Sequence, residues 1–339
     1  MKPITNVILL LLCLTGCSPS PSEDYNTYIK RLHNTLDFPA EPRNDIQAIK
    51  INLPPFATQN TNQFNILELA KINQCHLSQL IAQHNNQLGK TALPSLQLKY
   101  QIEFLKHSES CQNQLQDQEK IVNILAKVSL QKRQTIYAQF KHFLLTEAET
   151  KSLFTLSSQE LINEEAAGLS DTLSALAILK EWDQALKLAD VEHINTDDLM
   201  LALTLLKQTQ FSAKLILSMQ KQIALNQQLT ASLSNIDLAQ FCPLGKSNPK
   251  VAIFSNIFTR FYLQNLQGYQ AQLIGQFQQL KPYLSLLWHD ENGHLIAAEL
   301  SHIIGNSEIT DLQSQLSLSA KKHVQWWQQF YQICKIAPK

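Results

Sequence analysis

Six side chains of metal-binding type crowd one stretch of the sequence: His289, Asp290, Glu291, His294, Glu299 and His302. Histidines at i and i+4 on one helix face chelate zinc, and a neighbouring carboxylate can serve as ligand or base. On a continuous helix His294, Ala298 and His302 would share a face, with Glu299 beside them. The two histidines are then eight residues apart, about 12 Å along the axis, so one ion cannot take both. The stretch reads first as a solvated loop and helix start. It is also where an envelope hydrolase or metalloenzyme would have to be built. No metal ligand is assigned.

Other chemical signals are weaker. Ser247-Asn248-Pro249-Lys250 and Ser319-Ala320-Lys321-Lys322 fit S-x-x-K, but the S-D-N and K-T-G elements of penicillin-binding sites are missing, and so is a strand pattern to carry them. Glu164 and Glu165 are adjacent, so on a helix they splay about 100° apart and cannot work as an acid/base pair. There is no G-x-S-x-G, no phosphate-binding glycine loop and no dinucleotide fingerprint. No catalytic residue and no cofactor is assigned.

The cysteines are more telling. Of six, Cys75, Cys111, Cys242 and Cys334 lie well inside the chain. Zinc would want close C-x₂₋₄-C pairs, and no two of these are that near. An even number in an oxidising compartment reads as two disulfides. Three pairings exist on paper. Cys75 and Cys111 flank the break at Gly89–Pro94 at similar distances, so in an antiparallel hairpin they would meet at its far end. Cys242 would then tie a loop to the last helix through Cys334.

The elements that position these residues are helices. Gly 8 and Pro 12 in 339 residues is a low supply of turn makers, and apolar positions recur with a 3.6 period. Ser22 can cap a first helix carrying Tyr25, Tyr28, Ile29, Leu32 and Leu36. Residues 38–61, with four prolines, read as an ordered loop across the helices, with Ile46, Ile49, Ile51 and Leu53 as one extended piece. Helical runs follow from Phe64 to a stop at Gly89, from Pro94 to about Leu105, and from Ile121 to Leu144. Thr146 with Glu149 and Ser157 with Glu160 fit capping boxes, the second opening a helix over 161–182. Asn195 or Thr196 caps a helix from Leu199 to about Leu233. After the loop Phe241-Cys242-Pro243-Leu244-Gly245 comes an aromatic stripe, Phe254, Phe258, Phe261, Tyr262 and Tyr269, whose spacing reads as core. Pro282 should break or kink that helix. Gly293 and Gly305 bracket a short helix, and Asp311–Lys335 is the last. Ala175–Asp190 has the look of half a tetratricopeptide pair, but no second copy stands at that period. The fold expected is all-α: one array of long antiparallel amphipathic helices over 22–339, with sub-lobes 22–145 and 146–339 as a further division.

Net charge is zero, with 28 basic and 28 acidic residues, which argues against nucleic acid as a partner. Glutamine is abundant, outnumbering Lys and Arg together, and gives wettable, uncharged helix faces. At the start of the chain Lys2 precedes the apolar run Val7–Leu14. Eight helical residues cover about 12 Å, far short of the ~30 Å hydrocarbon layer, so the run reads as a secretory signal over 1–16. The word Leu14-Thr15-Gly16-Cys17 resembles the bacterial lipobox. That resemblance implies cleavage before Cys17, acyl chains on Cys17 holding the protein to a membrane, and a tether over 17–21. Ser18 after the acylated cysteine implies sorting to the inner leaflet of the outer membrane, facing the periplasm.

Several segments resemble one family: Tyr28-Ile29-Lys30-Arg31-Leu32, Cys75-His76-Leu77, His84-Asn85-Asn86-Gln87-Leu88-Gly89-Lys90, Leu98-Lys99-Tyr100-Gln101-Ile102-Glu103-Phe104-Leu105, Phe241–Gly245, and the closing Trp327–Cys334. They are similar to the proteobacterial lipoproteins grouped as domain of unknown function 3080. Where that family is expected to carry Glu-Arg-Asn, this chain has Gln83-His84-Asn85. The resemblance brings no known activity. The reading that results is a lipid-anchored helical envelope protein that binds or scaffolds another envelope protein. The alternatives are the hydrolase at 289–302 and a carrier of an apolar ligand beside Phe254, Phe258 and Tyr262.

Overall fold

A computed structural model of the chain describes residues 20–36, 38–39, 41–42, 46, 48–52, 70–86, 89, 91–155, 157–162, 168–245, 248–305 and 311–337. Cys17, the signal and tether before Ser20, Leu53, Phe64, Leu67, Leu69, Leu88, Glu164, Glu165 and Ser247 lie outside them. Among the described residues the protein is all-α, and the only strand-like pairing is the single bridge His289–Leu295. No described helix is long and apolar enough to cross a membrane.

The first helix, α1 (Pro21–Thr35), starts two residues earlier than it would with Ser22 as its cap. Proline takes the first turn behind Ser20, where its missing N–H costs nothing. Next, α2 (His76–Asn85) and α3 (Pro94–Gln114) form a hairpin. The Cys75–Cys111 disulfide closes its far end with Cα atoms 5.4 Å apart, as the spacing about Gly89–Pro94 anticipates. Helix α4 (Glu119–Thr146) folds back on α3 and is followed by the short α5 (Ala148–Ser152).

Here the capping boxes fail. The Thr146 hydroxyl donates to the His142 carbonyl instead of capping a new start. Likewise Ser157 accepts from the Gln159 N–H within a turn. The next helix, α6 (Leu169–Lys187), begins only after Gly168 at φ 91°. A box needs free N–H groups ahead of it, and Thr146 is still inside α4.

Asn195 does cap α7 (Thr196–Thr209), accepting from the Asp197 N–H. The run expected to reach Leu233 is cut at Gln210, which takes φ 46° and both ends α7 and opens α8 (Phe211–Ser234). Helix α8 is the centre of the molecule and is buried nearly all round, polar Ser212, Ser218, Gln222 and Asn226 included. After α9 (Leu238–Phe241) comes the aromatic run: α10 (Pro249–Ile257), a π-helical stretch Phe258–Leu266, and α11 (Gln267–Trp288). Helix α11 runs through Pro282 without breaking. Leu280, Leu284, Leu287 and Trp288 are fully buried on either side of it, and burial at about 1.5–3 kcal/mol per side chain outweighs the ~3 kcal/mol a helical proline costs. A turn, a 3₁₀ segment Ala298–Leu300 and α12 (Ser301–Ile304) lead to α13 (Leu312–Ile333), capped by Asp311 through the Ser314 N–H. A second disulfide, Cys242–Cys334, ties the loop after α9 to the end of α13.

Helices α2 and α3, α3 and α4, and α6 and α7 fold back on one another, but α1, α8 and α13 run in one direction. Tyr25 meets Asn226 and Glu41 meets Ser232, while Asn226 meets Ser319 and Thr230 meets His323. Three apolar clusters result. The largest joins α3, α4, α6–α8 and α11 to the start of α13; a second is aromatic, around α1, the π stretch and the end of α13; the third lies under the first disulfide.

Candidate functional site

The segment after α1 crosses the molecule as a strap. At Glu41 its main chain donates to the Ser232 hydroxyl and accepts from the Gln228 side-chain amide, and the Glu41 carboxylate accepts from Asn235. At its other end both the N–H and the side-chain amide of Asn52 donate to Glu299 Oε1, at 3.1 and 2.7 Å. The main-chain N–H of Glu299 itself, and then the donors of Asn52, hold the Glu299 carboxyl below the usual carboxylate range. Ile49 and Ile51 between them lean on the large core. Of the expected extended piece, the described residues 46 and 48–52 show no strand pairing.

Beside the strap lies a groove of about 500 Å³, walled by Ile46, Ile49, Ile223, Ala224 and Leu312 and rimmed by Lys50, Gln220, Gln227, Glu299, His302 and Gln315. This volume falls within the roughly 300–1,000 Å³ of ligand sites, which combine an apolar floor with a few polar groups. Gln220, Ile223, Ala224 and Gln227 follow an i, i+3, i+4, i+7 stripe along α8. The Gln220 side-chain oxygen is buried with no hydrogen-bond partner among the described residues.

A smaller hollow of about 320 Å³ lies at the open end of the α2–α3 hairpin, lined by Gln83, His84, Asn86, Gly89, Lys99, Tyr100 and Glu103 among others. His84 stacks on the Tyr100 ring at 3.8 Å. The Lys132 ammonium sits 5.1 Å from the Tyr100 ring centre and 4.7 Å from that of Phe104 and donates to Gln101. Burial lowers its pKa to about 8. Burial and the Lys132 charge push His84 down as well. Gln83 and His84, which depart from the family's expected Glu-Arg-Asn, therefore line this hollow.

The stretch 289–302 is not one helix face. His289 and Leu295 form a bridge around a turn in which the Asp290 carboxylate accepts from the N–H groups of Asn292 and His294, while Gly293 takes φ 78°. His294 is in the turn, Ala298 and Glu299 are in the 3₁₀ segment, and His302 is in α12. The His289 ring donates to the Ser285 carbonyl. Among the described residues no three His, Cys, Asp or Glu side chains are grouped to hold a metal. The expected face fails because the Asp290 side chain satisfies a turn that a helix would have needed to displace. What the turn does adjoin is a buried pair: Lys141 Nζ lies 2.6 Å from Asp183 and donates to the Leu287 carbonyl.

The aromatic stripe is core. Phe258 stacks on Trp327 at 4.4 Å, Phe254 lies 5.0 Å from Trp327, and Tyr262 is fully buried. At its centre is His323, a residue that no sequence motif singles out. The Trp327 N–H donates to its Nε2, the Tyr28 hydroxyl lies 3.1 Å from that nitrogen, and Thr230 Oγ1 lies 3.2 Å from Nδ1. Full burial lowers its pKa to about 3. Tyr25 donates to Asn226, which donates to Ser319, and Gln270 bridges Tyr262, Gln222 and Asn226. At the start of α1, Ser22 donates to Glu160, which pairs with Lys221 at 2.7 Å. The contacts of Ser22, Tyr25 and Tyr28 fasten the first half of α1.

The family described as "Protein of unknown function (DUF3080)" matches residues 25–338. The chain belongs to the DUF3080 family. No curated protein and no solved structure matches it. In this DUF3080 protein the matched span runs from the first buried tyrosine of α1 through the second disulfide, and so takes in the groove, the strap and most of the polar clasp on α1.

Proposed function

We propose that this DUF3080 protein is a lipid-anchored binding component of the bacterial envelope, held by acyl chains on Cys17 to the periplasmic side of a membrane. The observation that carries the reading is the pair of disulfides, Cys75–Cys111 and Cys242–Cys334. Bonds of this kind persist in oxidising compartments and not in a bacterial cytosol. A chain that reaches the periplasm with a cysteine at the end of a short apolar run has the means to be acylated there. The firm seating of α1 adds to this. Pro21 is four residues from Cys17, a reach of about 14 Å when fully extended, so the anchor would hold the body close against the membrane. The strap-bounded groove is the surface offered to a partner.

The test is metabolic labelling with radioactive palmitate and membrane fractionation of the native chain and of Cys17→Ser. The native chain is expected to carry label and sediment with membranes, and the variant to lose both. A variant that still sediments and is still processed at the same bond refutes the anchor.

A further inference from the structure

We infer that His323 makes the docking of α1 acid-labile, so that acid lengthens the chain between the body and its anchor. The clasp itself stands on geometry; only its effect on reach rests on the Cys17 anchor proposed above. His323 is fully buried on α13, and groups from three helices meet its two ring nitrogens. The Trp327 indole N–H can only donate, so the Nε2 that it meets at 3.3 Å carries a lone pair and no proton. The Tyr28 hydroxyl of α1 is a second group on that nitrogen, at 3.1 Å. The ring proton is therefore on Nδ1, 3.2 Å from Thr230 Oγ1 of α8.

A second proton would have to go on Nε2. There it would face the Trp327 N–H, which cannot accept it, and Tyr28 could accept it only by turning its own proton away from the one partner it has. The titratable groups facing the ring are the phenols of Tyr28 from α1 and Tyr262 from the π stretch, both kept neutral by burial. Helix α8 brings Thr230 and α13 brings Trp327, and among the described residues no carboxylate or ammonium contacts the ring. A buried cation without a counter-charge is costly, so the protonated ring needs water. Helix α1 is the cover that can lift to admit it. Helices α8 and α13 pack on each other more extensively than any other pair among the described residues, and Cys242–Cys334 ties down the end of α13. Undocking α1 takes Tyr28 off Nε2 and leaves that pair standing.

The released helix becomes tether. Its 15 residues add about 22 Å if they stay helical and up to about 50 Å if they uncoil, against the roughly 14 Å that separates Pro21 from Cys17 when extended. The hold of the strap on α8 at Glu41 stops the release there. An anchored body that rests close to the membrane at neutral pH would therefore reach further from it in acid.

The test is hydrogen exchange of the full mature chain bearing Cys17→Ser, with both disulfides intact, at pH 7.5 and pH 4.5. Rates are read as protection factors, so that the intrinsic pH dependence of exchange divides out. With the ring titrating at 6.5 when exposed and at about 3 when covered, the open form of α1 should become about a hundredfold more populated over that interval. Protection over residues 21–35 should fall by that factor. It should also lie below that of residues 211–234 at both pH values and change little with added urea, as local opening does. In His323→Gln most of the hundredfold fall should disappear, while the carboxylates of α1 titrate alike in both proteins. Equal protection of 21–35 and 211–234 at both pH values would mean that α1 leaves only when the whole protein unfolds, and overturns the inference. So does protection of α1 that does not fall in acid, or that falls as far in the Gln variant. The comparisons within the native chain need no variant, so a Gln variant that fails to fold leaves the inference open to refutation. No lipid is present, so failure here leaves the Cys17 test standing, and the converse also holds.

Discussion

Lowering the pH should loosen α1 through one residue, His323. The folded protein holds its imidazole neutral because burial pushes the pKa from 6.5 to about 3. The unfolded chain protonates normally. Between those values the unfolded state binds the extra proton, so stability rises with pH and falls as pH drops below 6.5. The slope approaches about 1.4 kcal/mol per pH unit. Taking the chain from pH 7.5 to pH 5.0 therefore costs about 2 kcal/mol from this site alone. The comparison is urea unfolding at both pH values for the native chain and for His323→Gln, which keeps a hydrogen-bonding group but cannot titrate there. Gln is expected to be less stable at pH 7.5, since the contacts from Tyr28, Thr230 and Trp327 fit an imidazole. Its further loss on going to pH 5.0 should nevertheless be smaller than the native chain's, by about 2 kcal/mol. The remaining histidines titrate alike in both proteins and cancel in the difference. Equal losses would refute the claim that His323 is buried and neutral.

Other outcomes follow from the same packing. Non-reducing peptide mass spectrometry should recover Cys75 joined to Cys111 and Cys242 joined to Cys334. Removing the first bond by a Cys→Ser pair should cost about 4 kcal/mol, and removing the second about 4.6 kcal/mol, on the loop-entropy relation with sequence separations of 36 and 92, read as a drop in the urea midpoint. Gly168→Ala should destabilise by about 2–3 kcal/mol, because φ is 91° and a Cβ there would stand 2.8 Å from the Thr209 Cβ; an unchanged melting temperature would contradict the backbone at α6. Asp183→Ala should cost about 3–5 kcal/mol by leaving the Lys141 ammonium buried and unpaired, and adding Lys141→Met should recover most of it. If the double variant is as unstable as the single, the pair is not the cause.

The architecture is legible where one signal acts alone. Long 3.6-period runs predict helices, and the positions of Cys75 and Cys111 about one glycine-proline break predict their bond. Asn195 and Asp311 cap helices as their types suggest. The misreadings have a common cause: a local motif outranked by its surroundings. Thr146-x-x-Glu149 has capping residues and a helix does start beside it, but Thr146 is the last residue of α4 and the cap position of α5 falls to Glu147. Gln210 breaks a helix with none of the residues that usually do so, since Leu206 before it and Phe211 after it are both buried in the large core and the turn between them follows from that and not from its own preference. Pro282 fails to break one for the converse reason. The groove is invisible in the sequence because it is made by residues as far apart as Ile49, Ile223, His302 and Leu312, which no sequence window contains. His323 gives no signal because a lone histidine on an aromatic helix carries no hint that a tyrosine of the first helix will reach it.

That long-range contact bears on why the chain buries polar side chains with its first helix. A tail that only had to reach a membrane could leave α1 loose. Instead Ser22, Tyr25 and Tyr28 are fixed by partners from the segment before α6, from α8 and from α13, and the strap continues directly from α1 to Glu41 on α8. The helix nearest the proposed anchor and the wall of the groove are thus one continuous piece of chain, pinned to α8 at Tyr25 and Glu41 and to Glu299 at Asn52. Tension on Cys17 would be carried into the body through hydrogen bonds that apolar burial shields from water. Cutting one of them, as Tyr25→Phe does by leaving Asn226 short of one donor, should free α1 without unfolding α8. Hydrogen exchange would then quicken over residues 21–35 while 211–234 stay protected; equal quickening in both would mean that α1 is not a separable clasp.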